Sequence, residues 1–218
     1  MGNYDSLLHS SLEQLGLDFD ETQYSQLSRY IKELELWNPA YKLVGAVGDE
    51  LITKHIADSL SAVPTLVTLL DTYKNPVIAD LGSGAGLPGI PLAIALKDYQ
   101  FTLVERMGRR VGFLNNALVL CHLSDRVKVF DKDLSEVKET FNLITFRAFH
   151  PLYDILDIVE PLLSDDGVVC AYKGQEESLR AELEQVKKGC KTIWTDYLVD
   201  LSVPHLDAQR KLCILHKG

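Results

Sequence analysis

The sequence predicts an α/β protein, a doubly wound and mostly parallel sheet with an antiparallel C-terminal hairpin and extra helices at its N-terminus. Three observations predict it. Apolar residues repeat at helical spacing over the first 70 or so residues. From Asn75-Pro76 onward, short β-rich runs alternate with helical runs. A glycine-rich turn, Gly82 to Gly89, joins the first of those runs to the helix that follows. The chain is thereby divided into 1–74, a helical segment packed on the core, and 75–218, the sheet domain.

In the first segment Leu27, Tyr30, Ile31, Leu34 and Trp37 keep the 3.6-residue period, and Asn38-Pro39 is expected to stop that helix. Asp49 is placed to cap a second helix, which carries Leu51, Ile52, Ile56 and Leu60 and ends before Pro64. His55 falls at the edge of its apolar face, as an interior histidine rather than a substrate contact, while Lys54 and Asp58 lie on the polar flank, spaced to pair. In the second segment, strands are expected at Val77 to Leu81, Phe101 to Glu105, Val127 to Phe130, Phe141 to Phe146 and Gly167 to Tyr172. Helices are expected at Gly89 to Leu96, Arg109 to Leu120, Leu152 to Leu163 and Glu176 to Lys187. This alternation implies right-handed crossovers and a sheet covered on both faces. Thr192 to Leu201 and Lys211 to His216 follow each other with no helix between, so they should pair as an antiparallel hairpin at the sheet edge.

Composition narrows the function classes. No run approaches the roughly 20 apolar residues of a membrane span, and the N-terminus lacks the basic-then-apolar layout of a signal peptide. The expectation is a soluble, unexported, cytoplasmic protein with no membrane partner, acting as a monomer. Met1-Gly2-Asn3-Tyr4-Asp5-Ser6 fits a myristoylation pattern, but one so short that chance matches are common. Cys121, Cys170, Cys190 and Cys213 form no C-x-x-C pair and no zinc spacing, which reads as reduced, mostly buried thiols and no metal site. The formal net charge of −9 means that a nucleic-acid partner has to be held by a local basic face.

The sharpest motif is Asp80-Leu81-Gly82-Ser83-Gly84-Ala85-Gly86-Leu87-Pro88-Gly89, between a strand and a helix. In an open parallel sheet, ligands bind beyond the carboxyl ends of the strands, and a glycine-rich first turn lets backbone approach them closely. A dinucleotide site needs G-x-G-x-x-G with pyrophosphate on the helix N-terminus. Here Gly86 comes too early, and Asp80 repels a pyrophosphate while suiting the cationic sulfonium and ammonium of S-adenosylmethionine. Glu105, about 20 residues on at the end of the second strand, is placed to accept both ribose hydroxyls. Asp80, Gly82, Gly84 and Glu105 are therefore the cofactor-binding candidates from the residues themselves.

Asp80 to Leu92 also resembles the signature of the RsmG family, known too as glucose-inhibited division protein B. Lys54-His55-Ile56-Ala57-Asp58-Ser59, Arg109-Arg110-Val111-Gly112-Phe113-Leu114, Arg147-Ala148-Phe149, Lys173-Gly174 and Arg210-Lys211-Leu212 match the family in the same order, over nearly the whole chain. The resemblance implies a class I S-adenosylmethionine-dependent methyltransferase fold and methyl transfer to guanine N7 in small-subunit (16S) ribosomal RNA. It implies cofactor contacts at Gly82, Leu87, Lys132, Asp133 and Arg147. Two departures stand out: Lys42-Leu43-Val44 where the family commonly has Asn-Leu-Thr, and Asp131 where a basic residue is common.

The residues agree with N7 chemistry largely through what they lack. A pyrimidine C5 methyltransferase calls for a cysteine nucleophile, typically after proline, and no Pro-Cys dipeptide occurs. An exocyclic amine favours Asn-Pro-Pro-aromatic after the fourth strand, where this chain has Phe146-Arg147-Ala148-Phe149. Guanine N7 carries an in-plane lone pair and needs no deprotonation. Arg147 and Lys173, each following a strand at the pocket mouth, are the catalytic candidates. Lys54, Arg109, Arg110, Lys173 and Arg210 are the RNA-binding candidates, with Arg106 in the same basic cluster. Each has an ordinary alternative: core phenylalanines beside a capping Arg147, and solvated surface cations elsewhere. Two other functions fit the same fold, a small-molecule methyltransferase and a nucleotide-binding regulatory module without catalysis.

Overall fold

The computed structural model describes residues 4–218, so Met1, Gly2 and Asn3 of the myristoylation pattern lie outside the described residues. Seven strands form one sheet in the order β3-β2-β1-β4-β5-β7-β6. They are β1 (Val77–Leu81), β2 (Gln100–Glu105), β3 (Val127–Asp131), β4 (Phe141–Arg147), β5 (Leu163–Lys173), β6 (Trp194–Asp200) and β7 (Lys211–Lys217). The first five run parallel, and β7 enters antiparallel between β5 and β6. The expected hairpin is therefore present at the edge, with its first strand outermost.

The N-terminal helices are α1 (Tyr4–Gln14), α2 (Glu21–Tyr41), α3 (Asp49–Leu51), α4 (Asp58–Leu60) and α5 (Val63–Leu70). The crossover helices are α6 (Gly89–Ala95), α7 (Gly108–Leu120), α8 (Leu152–Val159) and α9 (Glu176–Gly189). No helix among the described residues is long and apolar enough to cross a membrane. One sheet face packs on the N-terminal helices with α6 and α7, the other on α8 and α9. Alternation along β5 shows the period-2 logic: Val168 and Cys170 join the first cluster, Val169 and Ala171 the second. Cys121, Cys170 and Cys213 are buried, Cys190 is half-buried, and all four thiols are free.

Several boundaries differ from expectation for identifiable reasons. Helix α2 starts on an Asp20–Gln23 capping box and runs through Asn38-Pro39 to Tyr41. Pro39 costs it one backbone bond. The end comes at Lys42, left-handed at φ 49°, and the Asn38 side chain accepts the Val44 N–H. Gly48 rather than Asp49 occupies the cap position of α3, and Pro64 stands in the first turn of α5 instead of following a single long helix. The helix expected over Leu152 to Leu163 stops at Val159, and a 3₁₀ turn, Glu160–Leu162, delivers Leu163 into a strand longer than expected. That strand's register shifts between the Phe141 and Leu143 pairings.

The largest departure is the π-helical turn Ile52–Ala57 that joins α3 to α4. Its wider turn breaks the 3.6-residue period, so faces extrapolated across it are wrong. Lys54 pairs with Glu50 one turn back, while Asp58, expected on the polar flank, is 2% exposed.

The helical segment is fastened to the glycine loop as well as to the sheet. The buried Tyr30 hydroxyl donates to the Ala85 carbonyl at 2.7 Å, and Gln23 donates to the Ile94 carbonyl at 2.9 Å. A carbonyl left unpaired in such a place costs about 1–3 kcal/mol, so α2 sets the height of the loop on which the site is built.

Candidate active site

The loop after β1 holds Gly82, Gly84 and Gly86 at φ of 64°, 59° and 85°, a backbone that side-chain-bearing residues rarely adopt. A Cβ at Gly84 would meet only the Gly82 carbonyl oxygen, at 3.7 Å, so backbone is offered to open space there. At Gly82 a Cβ would clash with the Phe149 ring, which lies against the loop.

Two hollows flank this loop and share Gly82, Arg110 and Ala148. One, of about 490 Å³, is lined by Glu105, Met107, Lys132, Asp133, Leu134 and the Ile155–Ile158 side of α8. The other, of about 710 Å³, is lined by Leu87, Arg147, Tyr172, Lys173, Arg210 and the Lys54–Asp58 turn, with Leu43 to Gly45 above them. Both sizes suit small-ligand sites.

Glu105 ends β2 and is 4% exposed. Its Oε2 accepts the Gly84 N–H at 2.9 Å and its Oε1 the Met107 N–H at 2.8 Å, so the carboxylate props the loop and faces the smaller hollow. Each oxygen keeps a lone pair for a ligand hydroxyl. Asp133 is an N-cap: its Oδ1 accepts Ser135 N–H and its Oδ2 takes Arg106. Lys132 lies over the Phe130 ring, 5.2 Å from its centroid. Asp131, opposite Glu105 in the β2–β3 register, is exposed.

Asp80 lies beneath the loop and lines neither hollow. It is fully buried, its Oδ2 accepts the Gly89 N–H at 3.0 Å, and its Oδ1 has no partner among the described residues. This carboxylate occupies the start of α6, where a dinucleotide's pyrophosphate would need free N–H groups. The donor set therefore fits S-adenosylmethionine: a glycine cradle, an acid at the end of β2 and no anion seat at the helix start.

Burial pushes the Asp80 carboxyl up to about 7, against the lowering effect of the Gly89 N–H. Since its unfolded value is 3.8, the folded state holds the extra proton between the two values, and Asp80 makes stability fall as pH rises through that window. His55 acts the other way. Burial, and then the Arg147 charge, push it from 6.5 down to about 4, so its contribution is lost as pH falls through that range. Asp80→Asn removes only the first effect. The variant should gain stability relative to the parent steadily from about pH 4 to about pH 7 in urea titrations, and parallel profiles would refute the assignment.

The basic candidates separate. Lys54, Arg110, Arg147, Lys173 and Arg210 come together at the larger hollow, whereas Arg109 points from the exposed side of α7 and lines neither hollow. Lys173 is held: its Nζ lies 2.6 Å from Glu182 Oε2, and its side chain is 14% exposed. Arg147 is held from three sides, by Asp58 Oδ2 at 2.7 Å, the Lys54 carbonyl at 3.0 Å and His55 Nδ1 at 2.9 Å. His55 is thus neither free substrate contact nor apolar filler but the acceptor of an Arg147 N–H. Sequence reading missed Asp58 and Glu182 as the anions that fix these cations. The sequence signals for Asp58 were its place in the Lys54 to Ser59 match and a spacing that suggested Lys54, not Arg147 and Arg210, as its partner.

Strand order, the loop after β1 and the acid ending β2 define the class I S-adenosylmethionine-dependent methyltransferase fold. Among solved structures it is shared with precorrin-6y C5,15-methyltransferase from Geobacter metallireducens, at TM-score 0.54 and 14% identity over 82% of this chain and 92% of that one. It is also shared with ribosomal protein L11 methylase from Lactobacillus delbrueckii subsp. bulgaricus, at TM-score 0.57 and 15% identity over 74% of this chain and 79% of that one. The chain belongs to the GidB family, rRNA small subunit methyltransferase G, whose model matches residues 23–213. A relative from Actinobacillus pleuropneumoniae serotype 3, ribosomal RNA small subunit methyltransferase G, is 34% identical over 207 residues, covering 94% of this chain and 95% of its own length.

Proposed function

We propose that the chain transfers the methyl group of S-adenosylmethionine to N7 of a guanine in small-subunit (16S) ribosomal RNA, as a cytoplasmic monomer. The observation that carries this reading is the pair of hollows on either side of Gly82, one faced by Glu105 and the other by fixed cations. Family membership supplies the RNA substrate class, and a single chain supplies every residue of the site.

When bound, S-adenosylmethionine supplies an electrophilic methyl group on a cationic sulfur. Gly82 and Gly84 let backbone approach it, Glu105 accepts its ribose hydroxyls, and Lys132, Asp133 and Leu87 border it. Arg147 orients the guanine or the cofactor carboxylate, with Lys173 beside it. Lys54, Arg110 and Arg210 meet RNA phosphates at the larger hollow, and Arg109 extends that basic edge along α7. Groups at the larger hollow that could act as base or nucleophile are already engaged, Lys173 by Glu182 and Asp58 by Arg147 and Arg210. His55 Nδ1 is occupied by Arg147, and burial raises the thiols of Cys170 and Cys213 well above their ordinary range. N7 needs neither, and in-line positioning contributes up to about 7–11 kcal/mol where alignment is good.

The test incubates the protein with labelled cofactor and undermodified small subunits or their extracted RNA, then maps the label. Label on a guanine N7 is expected, with RNA affinity falling steeply with salt, at a slope of about −0.7 per single-strand phosphate contact. A flat salt response with transfer to a small acceptor would install the small-molecule reading, and cofactor binding without any transfer the regulatory one.

A further inference from the structure

Asp58 takes no part in the reactions above, yet it is the most tightly engaged anion beside the larger hollow. Its side chain is 3% exposed, with Oδ2 2.7 Å from Arg147 Nη1 and Oδ1 2.9 Å from Arg210 Nε. Arg147 closes β4 and Arg210 directly precedes β7, strands that β5 separates in the sheet. One carboxylate thus ties together two cations brought from different strand ends. The π turn that carries Asp58 also supplies the Lys54 carbonyl and His55 Nδ1 to Arg147.

We propose that Asp58 is a positioning residue for methyl transfer, dividing its two oxygens between Arg147 and Arg210 so that both guanidinium groups stand fixed on the wall where the RNA guanine enters. This rests on the RNA-methylating reading above. Donor arithmetic supports it. Arg147 spends three of its five N–H groups on Asp58, Lys54 and His55, and Arg210 spends two on Asp58 and Gln209. Donors remain on both for a phosphate or for guanine O6, in orientations set from behind by Asp58.

Charge alone predicts the opposite sign. Asp58 subtracts from the positive field of a wall that meets a polyanion, so deleting its charge should tighten RNA binding if field were its only contribution. Asp58→Asn keeps one oxygen for one arginine and turns an amide donor towards the other, which is released. The expected result is a kcat lowered about tenfold to hundredfold, with RNA affinity unchanged or tighter, measured well below each variant's Tm. In an Arg210→Ala background the same substitution should cost less than a third of that factor, because the remaining oxygen then serves Arg147 undisputed.

A wild-type kcat in Asp58→Asn, or losses from Asp58→Asn and Arg210→Ala that simply multiply, would overturn the proposal. If Asp58→Asn fails to fold, Arg210→Lys replaces it. That variant keeps the charge but loses the fork, so positioning expects a lowered kcat and a purely electrostatic role expects none. Should the unaltered chain methylate no ribosomal substrate, the functional reading fails separately. The Arg210 Nε–H signal in ¹⁵N spectra then still reports on Asp58: slow exchange lost in Asp58→Asn upholds the positioning, and fast exchange in both refutes it.

Discussion

Arg147→Ala is expected to lower methyl transfer to small ribosomal subunits by about 10²- to 10³-fold, the range seen when one preorganised donor is removed from a reacting centre. It should also destabilise the chain by about 2–3 kcal/mol, since a nearly buried carboxylate loses one of its two cationic partners. The Arg147 side chain is 15% exposed and serves Asp58, Lys54 and His55 at once, so its removal breaks three bonds together. The figure falls below the ~3–5 kcal/mol of a fully broken buried pair because Arg210 stays on Asp58. Arg147→Lys keeps the charge yet presents a point cation in place of a planar fork, so most of the lost rate should remain lost. Initial rates with labelled cofactor and calorimetric Tm values check both parts. Turnover at the parental rate would remove Arg147 from the site.

Glu105→Ala is expected to raise the cofactor dissociation constant by about tenfold to hundredfold, equivalent to one charge-assisted hydrogen bond of about 1.5–3 kcal/mol. Two losses combine in it. The ribose hydroxyls lose an acceptor, and the Gly84 and Met107 N–H groups lose the carboxylate that holds the loop against β2. Glu105→Gln separates the two: its amide keeps one acceptor oxygen but turns a donor towards one backbone N–H, so an intermediate constant is expected. Titration calorimetry with S-adenosylmethionine and no RNA provides the measurement, independent of turnover. An unchanged constant in Glu105→Ala would refute the ribose assignment.

Much of the architecture was legible in the residues because its causes are local. Alternating apolar runs such as Phe101 to Glu105 specify buried strands, the glycines at 82, 84 and 86 specify a left-handed backbone, and an acid about 20 residues later marks the end of the neighbouring strand. The N-terminal helices were legible in existence but not in extent. Pro39 removes only one bond at the last turn of α2, and the π turn at Ile52–Ala57 carries no signature in a 3.6-residue pattern.

By itself, then, the sequence determined the order of strands and helices, the glycine cradle with its partner acid Glu105, and the supply of cations for the reaction. Only the tertiary structure decided which cations converge and what holds them. It left Arg109 outside the hollow, paired Lys173 with Glu182, and put Asp80 under the loop as the cap of α6. It also placed Asp58 between arginines 89 and 152 residues away along the chain. The physical reason is range. Strand and turn preferences act over a few neighbouring residues, whereas an ion pair needs only a few ångströms of space and is indifferent to the length of chain between its partners.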